Sequence, residues 1–88
     1  MKLLFLRKIV GTSMQPKLKP GKLIMASAWL SYKPGDIVVA KVDGLEVIKR
    51  VRKINNKGVW LQSDNPKVGR DSRHYGPVQS KQIIGAKL

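Results

Sequence analysis

Short apolar runs alternate with glycine- and proline-containing breaks along most of this chain. Pro20-Gly21, Pro34-Gly35, Asp43-Gly44 and the stretch from Asn55 to Gly58 read as turns. Between them lie segments rich in valine and isoleucine at 23–26, 36–42, 45–54, 59–62 and 82–86, whose lengths fit strands better than helices. Asp43-Gly44 between two apolar runs is a two-residue hairpin signal, and Asn55-Asn56-Lys57-Gly58 suggests another. Residues 27–32 read as one short turn of helix, or as a segment whose Trp29 and Leu30 plug the core. The pattern predicts a mainly β, antiparallel domain of five or more strands with little helix, spanning residues 1–88 without repeat, low-complexity segment or linker.

One strand carries an anomaly. With a period of two, Leu45, Val47, Lys49 and Val51 share a face, while Glu46, Ile48, Arg50 and Arg52 share the other. Lys49 therefore belongs to the apolar face. A lysine among aliphatic side chains loses hydration of its ammonium form, its pKa falls, and it becomes a candidate general base near neutral pH.

A base needs a partner. Ser13 lies in Gly11-Thr12-Ser13-Met14-Gln15-Pro16. Gly11 permits unusual backbone conformations and Pro16 discourages regular structure just beyond. A serine on such an irregular turn can be activated by a neighbouring base, with backbone N–H groups aimed at a developing oxyanion. A third polar stretch runs from Ser63-Asp64-Asn65-Pro66 to Asp71-Ser72-Arg73-His74 and on to Val78. There Asp64 or Asp71 can pair with Arg73 and hold the loop in shape, with Ser72 in the same network. His74 reads as structural, because a lysine base makes it redundant.

Composition narrows the chemistry. Eighty-eight residues suit one domain, and the absence of cysteine removes disulfides and thiolate metal sites. A single histidine leaves a His-rich metal site or a Ser-His-Asp triad hard to build, so neither metal nor cofactor is expected. The net charge of +13 can attract nucleic acid, anionic membrane or acidic protein. The basic residues are spread through every segment, however, and the five aromatics show no base-stacking spacing, so a nucleic-acid-binding module is the lesser alternative. No stretch approaches the ~20 apolar residues of a membrane span. Leu3 to Leu6 is apolar but is ended by Arg7 and Lys8. The expected location is cytoplasmic, with weak contact of residues 2–8 to an anionic membrane surface as the remaining option.

Taken together, the segments resemble the signal peptidase I family. Ser13-Met14-Gln15-Pro16 is similar to its nucleophile motif, Lys49-Arg50-Val51 to its general-base motif, and Ser63-Asp64-Asn65 through Asp71-Ser72-Arg73, Gly76 and Val78 to its last box. Pro34-Gly35-Asp36 matches a strand entry common there, and the resemblance spans roughly residues 9 to 86. It implies a signal peptidase/LexA-type β fold and a serine–lysine endopeptidase that removes a leader or propeptide. Ser13 would be the nucleophile and Lys49 the base. The Ser13 N–H, with Gly11 and Met14 in the same motif, would serve the oxyanion site. Asp71 and Arg73 would brace it, Asp64 being a further partner of Arg73. The substrate would lie extended with small residues near the cut.

Two departures bear on activity. Many members carry a serine or threonine where Gly69 stands, and that hydroxyl orients the lysine. Without it, the expectation is that Ser72 or water orients Lys49, or that the enzyme is weak or inactive. The second departure is the lack of an anchor and of a large insertion. It points to a soluble maturation protease resembling the small nickel-type superoxide dismutase maturation proteases, in which nickel belongs to the substrate.

Overall fold

The computed structural model describes residues 4–88, so Lys2 and Leu3 of the segment expected to touch a membrane surface lie outside the described residues. Six strands form one sheet: β1 (Leu4–Lys8), β2 (Leu23–Ser27), β3 (Ile37–Val42), β4 (Leu45–Asn55), β5 (Gly58–Gln62) and β6 (Ile83–Lys87). Their spatial order is β1-β2-β6-β3-β4-β5 and every pairing is antiparallel. One helical turn, α1 (Ser72–Tyr75), and a 3-10 turn over Ser80–Gln82 lie between β5 and β6. The mainly β reading with little helix holds.

Local chemistry explains the turns. Asp43 and Gly44 take φ of 52° and 78°, the doubly left-handed pair that lets a two-residue turn follow the strand twist. Val42 then faces Leu45 across the hairpin, and Asn55 faces Gly58 across the second. Two expectations change. The Leu4–Lys8 segment is a strand, because pairing from Leu4↔Ser27 to Lys8↔Leu23 supplies what its short apolar run does not announce. Residues 27–32 form no helix. Trp29 is 69% and Leu30 42% exposed, so neither plugs the core; the Ser27 hydroxyl accepts from the Trp29 N–H (3.2 Å) in a tight turn beyond β2.

The sheet is buried on both faces at its centre. Val38, Ala40 and Val42 of β3 join Val51, Val59 and Leu61 in one cluster, while Ile37 and Val39 join Ile9, Met14, Leu18 and Ile24 in the other. Alternation along β4 follows the same division: Val47 packs on the first cluster and Ile48 on the second. Lys49 has the parity of Val47 and Val51, which carries its stem into the first cluster. Among the described residues, no helix is long and apolar enough to cross a membrane.

β4 is also asymmetric in its partners. Residues 45–50 pair with β3 on one side, whereas β5 begins pairing only at Arg50↔Gln62. No strand among the described residues pairs with the other edge of residues 45–49.

Candidate active site

The Ser13 loop is held by apolar anchors on both sides of the serine. Met14 and Leu18 are fully buried, and the Leu18 N–H donates to the Met14 carbonyl (2.8 Å). Ile9 exchanges backbone bonds with Lys22 and Gly21, closing the loop's base. Gly11 has φ 81°, a conformation that favours glycine and leaves the following residues free to turn. A second loop staples this one in place: the Asn65 N–H donates to the Ser13 carbonyl (2.8 Å) and its side-chain amide to the Thr12 carbonyl (3.2 Å). The Ser13 N–H makes no hydrogen bond among the described residues.

Lys49 is only 5% exposed, and burial lowers its pKa, an effect partly offset by the Asp71 charge. Its ammonium nitrogen donates to the Ser63 hydroxyl at 3.0 Å. Ser63 is itself fixed, because its backbone N–H donates to the Asp71 carboxylate (2.9 Å). Asp71 also accepts from the Arg73 N–H (3.0 Å) and guanidinium (2.9 Å). Burial pushes the Asp71 carboxyl up, but the Arg73 guanidinium and the two N–H donors outweigh it and hold the pKa at about 2. A continuous chain of contacts thus runs Arg73, Asp71, Ser63, Lys49.

Gly69 lies beside both the lysine and the serine, which make no hydrogen bond to each other. A Cβ built on it would lie 2.8 Å from the Ser13 Cβ, 3.2 Å from the Lys49 nitrogen and 3.4 Å from the Ser63 hydroxyl. Nucleophile and base candidates therefore flank one point, and the glycine leaves that point clear. Its φ of 83° adds a second constraint. Gly69→Ala is expected to cost about 1–3 kcal/mol through backbone strain and to force Ser13 away from Lys49. Thermal unfolding and peptide-cleavage rates check both effects.

Several assignments need correction. Asp64 does not meet Arg73; it makes a paired ion bridge with Arg50 (2.8 and 2.7 Å), because Arg50 points to the opposite face of β4 from Lys49. Ser72 does not orient Lys49, since its hydroxyl accepts from the Leu61 N–H (2.7 Å) and ties α1 to β5. Ser63 does that work, a role the sequence reading missed. Asn65 was likewise missed as the staple of the serine loop. Asp71 is the N-cap of α1 and His74 completes the capping box, its Nδ1 accepting from the Asp71 N–H (3.3 Å).

Ser13, Met14 and Lys49 share a cleft of about 170 Å³ with Ile9, Val10 and Ile48. One wall is the chain just after β1; the other is the open edge of β4. Arg7 links the walls by an ion pair to Glu46. No group of metal-binding side chains is present among the described residues. A family model described as Peptidase S24-like matches residues 2–87, nearly the whole chain. Comparison with curated proteins gives no match.

Proposed function

Because the chain belongs to the Peptidase S24-like family, we propose that it is a serine endopeptidase in which Ser13 attacks the scissile carbonyl and Lys49 is the general base. The observation that carries this reading is the convergence of a buried lysine and Ser13 on Gly69, inside one cleft. The neutral amine takes the Ser13 hydroxyl proton as Oγ attacks, and the Ser13 N–H stabilises the oxyanion. The ammonium so formed returns the proton to the leaving amine, and water then releases the acyl group by the same route. The Ser63 hydroxyl limits the amine's rotation, and Asp71 and Arg73 limit Ser63.

A peptide entering as an added strand on the open edge of β4 would lie extended, with small residues beside Met14 and Ile48 near the cut. The narrower reading rests on resemblance: removal of a leader or propeptide by a cytoplasmic maturation protease of the nickel-type superoxide dismutase kind, the metal belonging to the substrate.

Digesting a proteome-derived peptide library and identifying new termini by mass spectrometry tests the reading. Wild type is expected to cleave and Ser13→Ala to leave the library intact; equal cleavage by both removes the proposal. The rate should fall as pH falls through the Lys49 pKa, because protonation removes the base. Since burial lowers that pKa, activity extends to lower pH than an ordinary lysine would permit. Ser63→Ala should reduce kcat/KM by roughly 10- to 100-fold through loss of positioning with little change in melting temperature.

A further inference from the structure

A second cavity, of about 190 Å³, lies on the face of β4 that carries Leu45, Val47 and Lys49. We propose that it is a side-chain subsite of the peptide cleft, taking a substrate residue with an apolar body and a hydrogen-bonding tip, such as Tyr or Gln. The inference rests on the peptidase reading and extends it to substrate choice.

The two cavities share Val47 and Lys49, so both abut the lysine. They draw otherwise on opposite faces of β4: Ile48 with Met14 and Ile9 for the first, Leu45 with Val42 and Tyr75 for the second. A strand added along the open 45–49 edge sends successive side chains to opposite faces. Residues of one parity therefore enter the first cavity and residues of the other parity the second. The second is smaller than the roughly 300–1,000 Å³ of small-molecule sites and suits a single side chain. Both mouths carry uncovered apolar residues, Val10 (86% exposed) at the first and Leu45 (70%) at the second.

The lining defines the occupant. Val42, Leu45 and Val47 supply apolar walls. The Tyr75 hydroxyl is buried and has no hydrogen-bond partner among the described residues. Such a group favours a ligand atom that completes it. Burial pushes its pKa up to about 12, so it stays a neutral hydroxyl able to donate or accept. Arg70, which has no ion-pair partner among the described residues, and Asp43 complete the lining with one charge of each sign. An apolar side chain with a neutral polar tip matches this set.

Termini released from the proteome-derived peptide library by wild type, Tyr75→Phe, Leu45→Trp and Val10→Trp test the subsite. Wild type should prefer Tyr over Phe at one substrate position, an odd number of residues from the small-residue position. Tyr75→Phe, which removes an unpartnered hydroxyl and leaves the ring packing, should cut that Tyr:Phe ratio roughly five-fold. Leu45→Trp should narrow the same position to small residues, while Val10→Trp alters only positions of the opposite parity. Unchanged preferences in Tyr75→Phe and Leu45→Trp, or changes at the positions altered by Val10→Trp, overturn the subsite and leave the peptidase reading standing. Absence of any wild-type cleavage overturns both.

Discussion

Lys49→Met is expected to abolish peptide cleavage, a loss of at least about 10²–10⁴-fold, while leaving a protein at least as stable as wild type. Most substitutions that erase an activity by damaging the fold lower stability at the same time; this one separates the two. The amine is buried, and among the described residues its one hydrogen-bond acceptor is the Ser63 hydroxyl. Methionine has similar length and flexibility and brings no charge into the cluster that surrounds the lysine stem. The pH dependence has a definite sign. A lysine whose folded pKa is lowered binds a proton more readily when unfolded, so its contribution turns increasingly unfavourable as pH falls below the unfolded pKa. The stability gain of Lys49→Met should therefore be present at neutral pH and vanish above about pH 10.4, the ordinary lysine value. Thermal unfolding at several pH values, alongside cleavage of the peptide library, checks this. A folded Lys49→Met protein that still cleaves as wild type would remove the lysine from the mechanism.

Asp71→Ala is expected to be the most destabilising single substitution at the site, costing about 2–4 kcal/mol, because buried donors lose their acceptor. Asp71 is fully buried, and its carboxylate is shared by the Ser63 N–H, the Arg73 N–H and the Arg73 guanidinium. Arg73 is exposed and can turn to water, but the Ser63 N–H cannot. For a domain of this size the loss corresponds to a fall in Tm of at least about 10 °C. Activity should fall as well, because Ser63 no longer holds the amine. Asp71→Asn keeps an acceptor for one donor and should show a smaller loss. It should also remove part of the acid sensitivity: with a folded pKa near 2, lowered from 3.8, Asp71 contributes stability above the unfolded value that is lost as pH falls through the folded one. Melting curves from pH 2 to 7 for the three proteins measure this directly.

The strands from 23 to 62 and the last strand were legible because glycine and proline bound them and alternation runs through them. Lys49 was legible for the same reason: period two put it with Val47 and Val51, and it is buried like Val51, beside a partly buried Val47. Leu4–Lys8 was not, since two basic residues end its apolar run and only its pairing with β2 makes it a strand. Trp29 and Leu30 show that large apolar side chains beside a turn need not be core. Ser63 was hidden by one residue of register. Counted back from the Asn55–Gly58 turn without interruption, Lys49 would face Asp64 and Arg50 would face Ser63. The shift between Val51 and Lys53 moves the pairing by one, so Arg50 faces Gln62 and Lys49 comes level with Ser63. That bulge carries no mark in the sequence. The same shift leaves Asp64 to Arg50 and explains why the hydroxyl beside Lys49 comes from Ser63 and not, as expected, from Ser72.

The chain contains no cysteine, so Ser13→Cys would carry a single thiol, at the position proposed as the nucleophile. The pH dependence of its alkylation by iodoacetamide reports its neighbour directly, because a cationic amine close by stabilises the thiolate. The dyad predicts a thiol pKa well below the ordinary value of about 8.5, rising to that value or above in Ser13→Cys/Lys49→Met. An alkylation profile identical in the two proteins would contradict the coupling of Ser13 to Lys49.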